Sequence, residues 1–314
     1  PSTNLDQTNR GLWGGIIVLG KASSNNNPSI KSIEGIPTNE SRGQYGGTED
    51  ADNSGSLKYI SIRHGGTNIG ADNEINGLTL GGVGSGTTVE HIEVYANADD
   101  GIEFFGGTVS VKYAVVSNGG DDCFDYDEGW RGNGQFWVAI QADDAGDRGG
   151  EHDGGPSSNE TGTPYATPEI RNATYIGNGD NRLITFRDNA GGEYINSIFQ
   201  GWDKGIDVED LTSVSSQDRL DDGNLKIEDN VFYDIAAGTT VDKLIVSSEG
   251  ADLSSHVNVS GNVVTNPGIS ATNPVPTKTL TEGSAPTESW FDNVKYKGAF
   301  STSNWAENWT KTFE

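Results

Sequence analysis

The segment from Ala98 to Gly129 matches itself at an offset of 22 residues. Val94 falls on Val116, Asp99 on Asp121, Asp100 on Asp122, Ile102 on Phe124, Glu103 on Asp125, Phe104 on Tyr126 and Gly107 on Gly129. A repeat this short cannot bury an apolar face alone, so it must stack on its neighbours. The register runs on. "DRGGEH" (Asp147 to His152) follows after 26 residues, "NRLITF" (Asn181 to Phe186) after 34, and "DKGIDV" (Asp203 to Val208) after 22. "INGLTL" (Ile75 to Leu80) precedes the first acidic copy by 24. The longer intervals hold loops such as "GGPSSNETGTPYA", where a stacked repeat tolerates insertion.

Short alternating strands at this period, with 44 glycines for turns and no helical pattern, predict an all-β chain. The expected architecture is a right-handed parallel β-helix, a solenoid of ~22-residue coils with loop insertions. Leucine-rich repeats need a Leu/Asn consensus that is missing, and a propeller blade needs a period of about 40. Leu78, Ile102, Phe124, Ile184 and Ile206 should stack inside, with Gly150 as the exception. A second inward column is expected to join Ile60, Ile92, Ile176 and Tyr194. The coils are assigned to residues 1–262. Residues 263–314 read as a Pro/Thr/Ser-rich connection followed by an aromatic C-terminal cap over the last coil. The N-terminal end has no comparable cover, which implies preceding coils or a like subunit at that edge.

The columns can be read as surfaces, because equivalent residues of adjacent coils lie roughly 4.8 Å apart. One column holds Asp99, Asp121, Asp147, Asn181 and Asp203. The next holds Asp100, Asp122, Arg148, Arg182 and Lys204. A third holds Glu103, Asp125, Glu151, Thr185 and Asp207. Carboxylates at that spacing repel by about 1 kcal/mol in water and more where water is excluded. Protonation, turn N–H groups or a hard cation must offset this. Ca²⁺, which takes about six to eight oxygens, is the expected ligand of Asp99, Asp100, Glu103, Asp121, Asp122 and Asp125. The plainer role for the same acids is to cap turn N–H groups one by one.

The second column changes sign along the stack. A cation-lined half beside a metal-binding half suits an acidic polysaccharide. A Ca²⁺-dependent lyase would use such parts, with Arg148, Arg182, Lys204 and His152 as catalytic candidates. The plainer reading is that the cations relieve the acid ladder by pairing. Phe105, Trp130, Trp137 and Trp202 lie near the columns, and Phe105, Trp130 and Trp202 offer rings for sugar stacking. Burial under a neighbouring loop is the alternative for Trp130 and Trp137. "NADDG", "GGDDC" and "GGEHDG" also resemble the motif order of polygalacturonase-type glycoside hydrolases. That resemblance implies Asp99, Asp121, Asp122 and His152. The extra Asp, the missing Gly-His-Gly setting and the missing Arg-x-Lys depart from it.

Lys+Arg total 20 against 46 Asp+Glu, a net charge of −26 that disfavours nucleic acid. Cys123 is alone, so no internal disulfide forms. No apolar run reaches the ~20 residues of a membrane span.

The strings "RGLWGGIIVLGKA", "RGQYGGTEDADNSGSLKYISIRHGG", "NEINGLTLGGVGSGTTVEHIEVYANADDGIEFFGGT" and "GDDCFDYDEGW" resemble a large group of secreted β-helix proteins common in Bacteroidetes and marine bacteria. The resemblance implies a secreted or cell-surface location, as a lipoprotein or type IX secretion substrate, and further coils before Pro1. It carries no catalytic residue. Two functions stay open. One is a calcium-stabilised structural, matrix or glycan-binding solenoid. The other is a Ca²⁺-dependent polysaccharide lyase or glycoside hydrolase acting on an acidic polymer.

Overall fold

The computed structural model describes residues 4–69, 75–156, 159–248 and 250–314. Eight parallel strands form the first sheet: Ile16–Leu19, Leu78–Gly81, Ile102–Phe105, Phe124–Asp127, Gly150–Asp153, Arg182–Arg187, Lys204–Val208 and Ile245–Ser247. A twelve-stranded sheet forms the rest of the wall. The chain is a parallel β-helix, as the repeat requires.

The inward column of the first sheet runs in register through Leu78, Ile102, Phe124, Gly150, Ile184 and Ile206, as the period predicts. Gly150 is an exception with a cause. A Cβ there would come within 2.7 Å of the His152 ring, which leans across the position. Gly101, the small residue after the first acidic pair, is likewise forced: its Cβ would meet a Val116 methyl at 2.3 Å.

Two residues further along each strand, a second column points inward: Leu80, Phe104, Tyr126, His152, Phe186 and Val208. The expected column joining Ile60, Ile92, Ile176 and Tyr194 holds only for its first pair. Ile60 and Ile92 continue into Ala114 and Trp137, whereas Ile176 pairs with Ile140, and Tyr194 with Ile170.

The reason is a corner that alternation does not reveal. Tyr59, His91, Tyr113, Phe136, Asn172, Asn196 and Asp229 all have φ between 54° and 62°. This left-handed residue folds each coil of the second sheet into two walls. Aromatic residues rarely adopt that conformation, which costs on the order of 1 kcal/mol or more each. Here the rings offset the cost by stacking outside the corner, with centroids 4.3 Å (Tyr59–His91), 4.5 Å (His91–Tyr113) and 4.9 Å (Tyr113–Phe136) apart. At later coils Asn and Asp take over, the residues best suited to positive φ.

Residues 263–314 are not a lid on the last coil, and the expected cap is corrected. The segment runs back along the outer face of the second sheet as a strap. Ile269 packs with Ile176, Ile198 and Val231. Trp305 and Trp309 meet the His91 ring edge-on. Near the chain end, Thr312 donates from N and Oγ1 to Glu93, both at 2.8 Å, and Glu93 is fully buried. The outer face of the second sheet is apolar in its middle coils (Val115, Phe136, Val138 and Ile140), so it needs this cover. The first sheet carries a smaller cover only at one end. There Tyr45, from the hairpin strand Gln44–Tyr45, and Ile33, just after its partner strand Lys31–Ser32, pack on Phe105. Beyond that hairpin its outer face is charged.

Candidate metal and polysaccharide site

The outward residues of the first sheet align as Thr79, Glu103, Asp125, Glu151, Thr185 and Asp207. The turn before each strand supplies the acidic pairs. All six expected metal ligands come together. Three sets place their oxygens within 4.8 Å of one another: Asp99, Asp100 and Asp121; Asp100, Glu103 and Asp125; Asp121, Asp122 and Asp147. Asp147 was not among the expected ligands. Its signal was present, since it begins the third copy of the repeat.

Part of the acid ladder is satisfied by turns. Asp100 Oδ1 accepts the Asp122 N–H at 3.0 Å, and Asp122 Oδ1 accepts the Arg148 N–H at 2.5 Å. Each second-column acid thus caps the next coil. That leaves other oxygens without such partners. Asp125 Oδ1 is buried and makes no hydrogen bond. Asn76 Nδ2 donates to Glu103, whose side chain is nearly enclosed.

Burial, added to mutual repulsion, pushes Asp100, Glu103, Asp122 and Asp125 well above the usual carboxylate range. Burial, with Glu128 alongside, carries Asp127 up to about 8. An all-oxygen donor set with an orphaned buried oxygen fits a hard divalent cation.

Toward the basic coils the pairing changes. Arg148 Nη1 lies 2.6 Å from both Asp147 and Glu151, and its Nε donates to Thr185 at 3.1 Å. Arg187 bridges Glu151 at 2.8 Å and Asp153 at 2.6 Å. Among the described residues Arg182 has one ion-pair partner, the distant Asp207 at 4.0 Å. Lys204 is exposed and forms no ion pair among the described residues. Arg148 is therefore a neutralising strut, while Arg182 and Lys204, paired across adjacent strands, are the cations open to a ligand.

Several expected site residues are corrected by their surroundings. His152 is not in the groove but fully buried, with its ring stacked on Tyr126 at 4.0 Å and Nε2 2.8 Å from the Tyr194 hydroxyl. Burial pushes it down to about 3, so it is a neutral core residue out of reach of a substrate proton. Trp130 and Trp202 are also fully buried, as is Trp137. The Trp130 indole donates to Val109 O at 3.0 Å and its ring stacks on Phe104 at 4.0 Å. Phe105 points outward but lies under Tyr45 and Ile33. None of these rings can meet a sugar.

Among the described residues, no helix is long and apolar enough to cross a membrane. Residues 2–310 match the model of a family described as a pectate-lyase-like β-helix domain. The chain belongs to that family. No curated protein and no solved structure matches it.

Proposed function

We propose that this member of the pectate-lyase-like β-helix family is a secreted or cell-surface protein that binds an acidic polysaccharide along the outer face of its first sheet. In this reading Ca²⁺ occupies the acidic coils, held by Asp99, Asp100, Glu103, Asp121, Asp122 and Asp125, with Asp147 in support. When bound, the ion neutralises the ladder and offers open coordination positions to polymer carboxylates. Arg182 and Lys204 take the next carboxylates along the chain. The observation that carries the proposal is the juxtaposition on one open face: carboxylate triads within 4.8 Å, followed in the same columns by two cations without close partners. The likeness to secreted bacterial β-helix proteins supports the location.

The test is calorimetric titration with polygalacturonate and alginate, with and without Ca²⁺. Calcium-dependent binding that weakens in Arg182→Ala and Lys204→Ala is the expected result. Binding that ignores both calcium and those substitutions overturns it.

A second reading is a lyase, favoured by the exposed Lys204 side chain, which forms no ion pair among the described residues. A base there would remove the proton beside the uronate carboxylate. The electron pair would form a C4–C5 double bond, and the glycosidic oxygen would leave and take up a proton. Unsaturated products that disappear in Lys204→Ala would establish it, and their absence on a broad polyuronate panel would leave binding as the function.

A further inference from the structure

On the side of the molecule away from the charged sheet, the strap folds over itself and forms an open pocket of about 260 Å³. Tyr296, Phe300 and Leu280 give it apolar walls, and Lys297, Lys278 and Glu282 are its charged lining. Lys297 is the unusual member. It is only 4% exposed, yet among the described residues its amine makes no hydrogen bond and no ion pair. Its Nζ is not among the fully buried polar atoms, so the amine keeps some contact with water at the pocket, but a lysine this covered still loses most of its hydration without a partner. Its backbone is fixed by neighbours on both sides. Asn172 Nδ2 donates to Tyr296 O at 2.6 Å, and the Gly298 N–H donates to Asn196 O at 2.8 Å. The residue is therefore held at the pocket by two rungs of the left-handed corner.

We infer that this pocket binds a small carboxylate carried on a ring, with Lys297 and Lys278 on the carboxylate and the half-buried Tyr296 against the ring face, while Phe300, buried against Trp305, backs the wall. The pocket's lining charge is two cations to one anion, in a chain whose net charge is −26. Its volume falls below the ~300–1,000 Å³ of pockets for drug-sized ligands and suits a single ring. Ser301 and Thr302 line it too and supply hydroxyls for a polar rim. Two sources share this chemistry, a uronic acid and an aromatic acid. The site is independent of the polysaccharide face, whose Arg182 and Lys204 it does not use.

The ammonium form is the one that binds. Burial lowers the Lys297 pKa, with Asp229 opposing. Glu282 and Lys278 line the same pocket, and the Tyr296 hydroxyl, pushed up to about 12, stays protonated through the range of interest. Affinity should therefore fall with rising pH earlier than an ordinary lysine would dictate.

The experiment is calorimetry on the full chain with glucuronate and benzoate, each against its neutral counterpart, glucose or benzyl alcohol. Saturable binding of one or both acids, at least tenfold tighter than the neutral partner and at least tenfold weaker in Lys297→Met, is expected. Which acid binds tighter identifies the source. Arg182→Ala should leave this binding unchanged. Equal binding of neutral partners, no saturable binding of either acid at millimolar concentration, or full affinity in Lys297→Met overturns the assignment. If Lys297→Met does not fold, Lys278→Gln and the pH series on the unaltered chain decide it: no loss in Lys278→Gln together with pH-independent affinity overturns it.

Discussion

The coils from Asp99 to Asp127 and the coils from Arg182 to Asp207 share one sheet, one register and the same turn-to-strand geometry. They differ in charge. In the first, acids fill both turn positions and the outward strand position. In the second, Asn181, Arg182, Thr185 and Lys204 take most of the equivalent slots. The scaffold tolerates either sign, so it does not demand the acids. The acidic coils carry carboxyl groups driven toward protonation, an unfavourable arrangement for a merely solvated surface. The basic coils carry cations left without close partners. The acidic coils carry no cation in these slots, whereas the basic coils mix Arg182 and Lys204 with Asp203 and Asp207; the proposed ion and polyanion would complete opposite ends of one face.

The contrast can be broken first by removing its acidic half. With Ca²⁺ about 100-fold above its Kd, linkage adds about 2.7 kcal/mol, or about 5 °C in Tm for a chain of this size. The double substitution Asp100→Asn with Asp125→Asn should abolish that shift in differential scanning calorimetry. A shift that persists would mean the ion binds elsewhere.

Next comes the basic half. Arg182→Ala and Lys204→Ala should each weaken polygalacturonate about tenfold, equivalent to ~1.4 kcal/mol, and the loss should shrink in high salt. Their Tm should hold, because neither cation supports the fold.

A third test uses pH. Asp100, Glu103, Asp122, Asp125 and Asp127 have native pKa values raised above the ~4 of an unfolded chain, with Asp127 at about 8. The native state thus binds more protons than the unfolded one across that window. Metal-free stability is highest below pH ~4 and falls as pH rises toward 8. Ca²⁺ prefers the deprotonated acids and should flatten or reverse the slope. A metal-free melting curve independent of pH between 4 and 8 would show that the acids titrate normally.

The smallest effect separates charge from capping. Asp122→Asn keeps an oxygen for the Arg148 N–H and deletes one negative charge. Metal-free stability should stay level or rise by up to ~1 kcal/mol in urea denaturation, while Asp122→Ala, which loses the cap, should fall by a similar amount.

The inward column of Leu78, Ile102, Phe124, Ile184 and Ile206 was legible because a stacked repeat forces equal positions into equal environments. The clustering of the acids was legible for the same reason. His152 was misplaced although the signal was there. It lies one residue beyond outward-facing Glu151, so alternation alone turns it into the core beside Tyr126 and Phe186. The corner residues were hidden because aromatics such as Tyr59 and Tyr113 give no hint of positive φ. The buried tryptophans and the strap were hidden for a shared reason. An aromatic residue signals burial somewhere, and composition does not say against which wall.

The strap alters how such a stack comes apart. Coils held only by their neighbours unzip from either end, one after another. Here the tail that leaves the last coils is fastened near its tip to buried Glu93 and, at 3.7 Å, to Arg63. Fraying of the early coils would release the tail, and release of the tail would wet the apolar wall of the coils between. The strap therefore couples the coils of Arg63 and Glu93 to the coils it leaves, and a one-dimensional array should gain some of the all-or-none cooperativity of a globule.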